Sequence, residues 1–391
     1  MSNSSSIRHF LLLALADTRQ LQLLHFCLLL GISLAALLGN GLIISAVACG
    51  QHLHTPMFFF LLNLALTDLG SICTTVPKAM HNSLWGTTHI SYSGCSAQLF
   101  MFAFFISAEV SLLTIMCYDR YVSICKPLHY GTLLGSRACA HMAAAAWACA
   151  FLYSLMHTAN TFSLPLCHGN ALGQFFCEVP HILKLSCDKS YVRELGLIAV
   201  SVCLVFGCFV FIVFSYVQIF RAVLRIPSEQ GRHKAFSTCL PHLAVVSLFL
   251  CTGTVAYLKP PSISSPSLDV SVSVLYSLVP PALNPLIYSL RNQELKEALC
   301  KMITREGRKC LILDASPQTS RALIKHRIKR LRLFCGFFGR AAGNSFLATA
   351  AGLRRWLGRF AFRSTPRRHR GILGGAIGSC PTPVPDGQLQ R

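Results

Sequence analysis

An acid and a base, Asp119 and Arg120, stand side by side in MCYDRYVSICKPLHY (116–130), at the foot of the apolar run SLLTIMCY. Two more carboxyl groups lie deep inside apolar runs: Asp68 in LLNLALTDLG and Glu109 in FFISAEVSLL. An ionisable group at bilayer depth costs roughly 2.5 kcal/mol or more and usually faces an interior polar site. Asn40 and Asn284 supply amides in other apolar runs, and Ser71 and Ser111 supply hydroxyls. These groups suit a small cation site, a shared proton, or carboxyls satisfied by neighbouring amides. The Asp119–Arg120 pair reads either as an interfacial ion pair anchoring a helix end or as a charge pair with two competing arrangements.

Such residues need a frame of membrane helices to position them. The chain has 391 residues, is 53% hydrophobic and only 13% charged, and its mean hydropathy is +0.53, which is far too apolar for a soluble domain of this length. Seven apolar runs reach the length of a membrane-crossing helix: Leu23 to Cys49, Met57 to Lys78, Ala97 to Tyr118, Ala140 to Phe162, Leu195 to Phe220, Phe236 to Leu258 and Leu268 to Leu290. All are helix-length, not barrel strands. The expected fold class is therefore an all-α seven-transmembrane bundle. A transporter or channel would predict internal repeats or discontinuous helices, and the sequence shows no repeat. The start, MSNSSSIRHF, is polar, so the first span is expected to serve as signal and anchor together.

Orientation rests on the basic flanks. The loops alone tie, at seven Lys or Arg on each side, but 21 of the 35 basic residues lie from Arg291 onward. The C-terminus is therefore expected in the cytoplasm and the N-terminus outside, where the Asn3-Ser4-Ser5 triplet would be a glycosylation acceptor. The expected divisions are an exterior segment over 1–22, a seven-helix bundle with a short amphipathic helix over 23–303, and a basic tail over 304–391, disordered or adsorbed to the membrane. From Lys301 on, 19 Lys and Arg face three acids, which is +16 of the chain's +21. Stretches such as IKHRIKRLRLF mix bases with large apolar residues and suit an anionic inner leaflet. Nucleic acid is a poor partner for a tail that the bundle keeps at the membrane.

Nineteen cysteines is a high count, yet most lie in or near spans as small apolar groups. Four do not: Cys95, and Cys167, Cys177 and Cys187 in CHGNALGQFFCEVPHILKLSC. An even set in an oxidising compartment reads as two disulfides, with three pairings open. A zinc site using His168 and His181 lacks the close CxxC or HxxxH spacing that such sites use. Span seven contains VPPALNPLIYSL, with Pro280, Pro281 and Pro285, so its backbone ladder must be interrupted and its freed carbonyls met by neighbours.

Taken together, LGNGLII (38–44), HTPMFFFLLNLALTDL (54–69), MCYDRYVSICKPLHY (116–130), FSYVQIF (214–220), KAFSTCLPHL (234–243) and PALNPLIYSLRN (281–292) resemble the vertebrate olfactory receptors of the rhodopsin-like G-protein-coupled receptor superfamily. The resemblance runs from about Asn3 to about Met302. It implies a non-enzymatic plasma-membrane receptor for small, mostly apolar odorants, coupled to a stimulatory olfactory-type G protein that raises cyclic AMP. It implies an activation switch in which Arg120 is restrained by Asp119 beside Tyr121 and released toward Tyr216, with Asn284, Pro285 and Tyr288 as a second switch. Asn40, Asp68 and Glu109 match a sodium-linked polar core, and the implied disulfides are Cys95–Cys177 and Cys167–Cys187. Ligand-facing positions carried over are Phe102, Ala103, Ile106, Ser107, Ser201, Leu204, Thr254 and Tyr257.

The chain departs from the family pattern at Leu250, where tyrosine is frequent, at Pro241, where serine is usual, and in its tail. Phe102 stands where amine receptors carry an acid, and span seven has no lysine for a retinal Schiff base. A chemosensory receptor working outside the nose, or a non-signalling relic, is the alternative.

Overall fold

The computed structural model describes residues 8–16, 18–187, 192–258 and 266–303. Asn3 and the 304–391 tail lie outside the described residues, as do the side chains of Thr254 and Tyr257. Seven of the described helices are long and apolar enough to cross a membrane. They are α1 (Arg19–Cys49), α2 (Pro56–Trp85), α3 (Tyr92–Cys125), α5 (Ser136–Phe162), α7 (Val192–Leu224), α8 (Glu229–Leu258) and α9 (Pro266–Arg291). Short helices α4 (Tyr130–Leu133), α6 (Val179–Leu183) and α10 (Gln293–Ile303) fill connections and follow α9.

Most helices outrun the apolar segments that announce them. Helix α3 has 34 residues, about 51 Å at 1.5 Å per residue, against a hydrocarbon core of roughly 30 Å. Its start is set by capping, since Ser91 Oγ accepts from the Gly94 amide at 3.1 Å. Helix α2 starts on Pro56 and ends at Gly86, whose φ of 64° gives the left-handed C-cap that glycine adopts without strain. Lys78, where the second apolar run ends, therefore lies about two turns inside α2.

Four buried clusters fill the described bundle, one of them a small α3–α5 group of Met101, Phe104, Phe105, Ala108 and Ala150. The largest joins Ile43, Phe60, Leu64, Leu112, Met116, Ile212, Tyr216 and Val245 toward the Arg120 end. Another joins Ile72, Val76, Phe102, Phe175, Phe176 and Tyr276, and a third holds Phe10, Ile90, Cys95, Cys177 and Ile182 at the opposite, disulfide-bearing end.

That end is closed by a lid built from three distant segments. Strand β1 (His9–Leu11) pairs antiparallel with β2 (His89–Ser91), matching Phe10 with Ile90. The loop after α5 joins on the other edge, where the Leu11 amide donates to Asn170 O at 2.9 Å and the Leu172 amide to Leu11 O at 2.7 Å. Disulfides join Cys95 to Cys177 and Cys167 to Cys187. All four of those thiols are thus committed, and zinc loses its sulfur ligands. Burial and nearby Lys184 push His181 down to about 4, so its ring is neutral at physiological pH.

The prolines of α9 are met from α1. Pro285 has no N–H for the Pro281 carbonyl four residues back, and Asn40 Nδ2 donates to that carbonyl at 2.9 Å. The approach is close because Gly39 has no side chain; a Cβ there would lie 2.9 Å from Pro285 Cβ. Asn40→Ala should therefore lower stability by about 1–3 kcal/mol, and Gly39→Val should do at least as much by forcing α1 off α9. Thermal unfolding of the detergent-solubilised receptor checks both, and a melting temperature unchanged in either variant would refute this account of the helix contact.

Candidate functional site

The polar residues singled out in the sequence fall into two groups at different depths. In the middle of the bundle, Asp68, Glu109, Asn284 and Asn40 are all buried. Asn284 Nδ2 reaches both oxygens of Asp68 at 3.2 Å and Glu109 Oε1 at 3.4 Å. One amide thus ties α9 to α2 and α3. Ser71 is buried nearby on α2, while Ser111 Oγ donates to Ser107 O at 2.9 Å within α3.

At the end of α3, Arg120 Nε donates to Asp119 Oδ2 at 2.9 Å, and its Nη2 contacts the same oxygen. Tyr130 Oη donates to Asp119 Oδ1 at 2.8 Å. Burial first, and the Asp119 carboxylate second, push the Tyr130 hydroxyl up, so it stays protonated as a donor. The side chains of Asp119 and Arg120 are 1% and 10% exposed, which makes this a desolvated pair and not a solvated surface bridge. Tyr121, one residue on, is half-buried with Lys126 Nζ 5.9 Å from its ring centre.

Tyr216 sits elsewhere. Its Oη lies 2.7 Å from His242 Nδ1 on α8, while His242 Nε2 lies 3.0 Å from Leu113 O on α3. The carbonyl only accepts, so Nε2 carries the proton and Nδ1 accepts from the tyrosine. His242 consequently pins α8 to α3 and holds Tyr216 on α7. Tyr288 is buried, and its hydroxyl has no hydrogen-bond partner. Sequence reasoning placed His242 inside a quoted motif without giving it a role. The signal was available, since an imidazole in an apolar span raises the same question as Asp68.

Toward the disulfide end, the structure gathers some of the ligand-facing positions and separates others. Phe102 is buried, its ring 4.8 Å from that of Phe176 and 6.3 Å from that of Tyr276, with Ile106 packed against the same cluster. Ala103 and Ser107 are half-buried on α3. Ser201 on α7 meets His157 on α5, with Oγ 3.1 Å from Nε2. Leu204, by contrast, is 62% exposed and takes no part in the buried interior. Above the cluster, lid residues reach into the bundle: Tyr276 Oη donates to Glu178 Oε2 at 2.6 Å, and Gln174 Nε2 donates to Ser273 Oγ at 2.6 Å. Gln174, Glu178 and His157 were not foreseen, because loop penetration and cross-helix pairing leave no periodic trace.

The His242 bridge has a measurable weight. His242→Leu would take the imidazole from the Leu113 carbonyl and leave the Tyr216 hydroxyl only its longer 3.4 Å contact with Cys239 O, at about 1–3 kcal/mol in all. Tyr216→Phe removes only one of the two contacts and should cost less. Urea or thermal unfolding of the purified variants should rank them in that order; the reverse ranking would show that His242 does not bridge the helices.

A buried charge pair beneath an aromatic interior, in seven helices linked by an α3-to-loop disulfide, is a receptor's arrangement, and the comparisons agree. The olfactory receptor family model matches residues 26–306. Olfactory receptor 14J1 of Homo sapiens is 47% identical over 306 residues, covering 78% of this chain and 95% of the relative. Olfactory receptor 14A16 of Homo sapiens is 46% identical over 303 residues, covering 78% of this chain and 98% of the relative. The chain belongs to the olfactory receptor family of seven-helix membrane receptors.

Proposed function

We propose that this receptor binds small, mostly apolar odorants at the disulfide end of the bundle and activates a stimulatory olfactory-type G protein at the Arg120 end, raising cyclic AMP. The proposal places the N-terminus and lid outside the plasma membrane, with glycosylation at Asn3, and places Arg120 and the C-terminal tail in the cytoplasm against membrane lipid. The observation that carries it is the closed arrangement at Arg120. Its guanidinium is held by Asp119, and Tyr216 is held by His242. Two polar contacts must open for Arg120 and Tyr216 to meet, which is the form of a two-state switch.

Ligand binding is coupled to that switch through the packed interior. Phe102 and Glu109 share one helix with Arg120, and Asn284 joins Glu109 to α9. A ligand that bears differently on the two states of this helix changes how often the lower end is open. Sodium forms part of the same proposal. Asn40 Oδ1 and Asn284 Oδ1 are buried without partners, and together with the Asp68 and Glu109 carboxylates they offer the all-oxygen donors that a hard cation takes. These residues would hold the ion and tie its binding to the packing of α9.

The test is cyclic AMP signalling by the full chain, a version stopped after Met302, and Arg120→Ala in both, across an odorant panel with surface level monitored. Odorant-driven cyclic AMP should appear and fall at least about tenfold with Arg120→Ala, which corresponds to 1.4 kcal/mol or more of coupling. A response through another G-protein pathway, or an ion flux insensitive to Arg120→Ala, would overturn the coupling proposed here.

A further inference from the structure

The inward stripe of α5 changes character along its length. Toward the Arg120 end it presents Cys139, Ala143, Ala146 and Ala150; toward the disulfide end it presents Ser154, His157 and Thr161. Steps of three and four residues keep all of these on one face. Ser154 Oγ closes on Ala150 O at 2.7 Å, an internal helix contact. Across on α7, Ser201 Oγ donates to Leu197 O at 2.8 Å, so its oxygen is left to accept from His157 Nε2–H at 3.1 Å. The Tyr153 ring lies against that imidazole, with centres 4.4 Å apart.

Two hydroxyls beside this pair stand out. Thr158 Oγ1 and Thr161 Oγ1 are both buried with no hydrogen-bond partner, and Thr161 is fully buried. Threonine in a helix normally closes its hydroxyl on the carbonyl four residues back, as Thr114 does with Val110 O at 2.8 Å. Neither Thr158 nor Thr161 does so. They lie three residues apart, about one helical turn, so their protons are available at neighbouring positions. No Lys or Arg occurs at 153–161 or 197–204, so the neighbourhood suits a neutral group and not a carboxylate.

We propose that Thr158 and Thr161, beside the His157–Ser201 pair between α5 and α7, form a hydrogen-bonding subsite for the carbonyl oxygen of a small aldehyde or ketone. The inference rests on the reading that ligands bind the disulfide end of the bundle. A carbonyl oxygen has two lone pairs and no proton, which matches two hydroxyl donors. A hydrocarbon of the same length leaves both donors unmet, and an alcohol adds a proton that the subsite must also accommodate. His157 and Ser201 position the wall by joining α5 to α7.

The experiment uses the full chain and a panel of four- to ten-carbon aldehydes, ketones, alcohols and alkanes, read two ways. Cyclic AMP gives potency in cells, and thermal shift of the purified receptor gives binding without signalling. Carbonyl compounds should lead both rankings, and Thr158→Val with Thr161→Val should weaken them by about tenfold or more. Thr158→Ser with Thr161→Ser keeps the hydroxyls and should keep the potency, even if the valine pair folds poorly. Carbonyl binding without cyclic AMP would leave the subsite standing and remove the proposed coupling. Signalling by other compounds with no carbonyl preference, no binding of any carbonyl, or carbonyl potency unaffected by the valine pair at equal surface level, would overturn the subsite.

Discussion

Asn284 carries two carboxyl groups on one side-chain amide, and much of the bundle's polar interior is arranged around that contact. Asp68 and Glu109 come from different helices and are buried at membrane depth, where water cannot meet them. The amide that reaches both lies on α9, one residue before Pro285. Placing it there needs the α9 backbone interruption, and the interruption needs Asn40 to meet the Pro281 carbonyl. Asn40 in turn needs Gly39 to let α1 approach. A run of small sequence choices, from Gly39 to Pro285, is thus a single geometric condition on four helices.

The same physics orders the two ends. At the Arg120 end, polar groups are matched in pairs: Arg120 with Asp119, Tyr130 with Asp119, and Tyr216 with His242. Matched pairs in a low-dielectric setting hold one arrangement firmly. The disulfide end is mainly aromatic, with Phe102, Phe175, Phe176 and Tyr276 in mutual contact and Glu178 and Gln174 fixing the lid over them. Close-packed interiors switch between discrete arrangements more readily than they deform continuously.

Hydropathy made all seven membrane helices readable, because span length is dictated by the bilayer and not by detailed packing. Their ends were not readable in that way: capping at Ser91 and Gly86, and extension beyond the hydrocarbon, carry helices past the apolar runs. The residues of the polar core and the Asp119–Arg120 pair were legible as misfits, polar groups where polarity is costly. His242 and His157 were equally visible as misfits but lacked partners in the sequence, since their partners sit on other helices. Leu204 shows the opposite failure: its position along α7 was carried over by resemblance, and the packing leaves it largely exposed. A loop pinned over the bundle by disulfides was legible from the cysteines, but the strand pairing that completes the lid was not, because its strands are three residues each and owe their existence to distant edges.

That lid also constrains the order in which the molecule can be completed. Residues 9–13 bond to residues 89–91 and 170–174, and the Asn170 side chain reaches His9 across 161 residues of sequence. Chains emerge from synthesis at roughly 5–20 residues per second, so the earliest of these residues must wait on the order of ten seconds or more for their last partners. By then four membrane helices have been made. The segment made earliest is therefore among the later ones to dock, and Phe10, fully buried in the finished lid, spends the interval as an exposed aromatic on a tethered end.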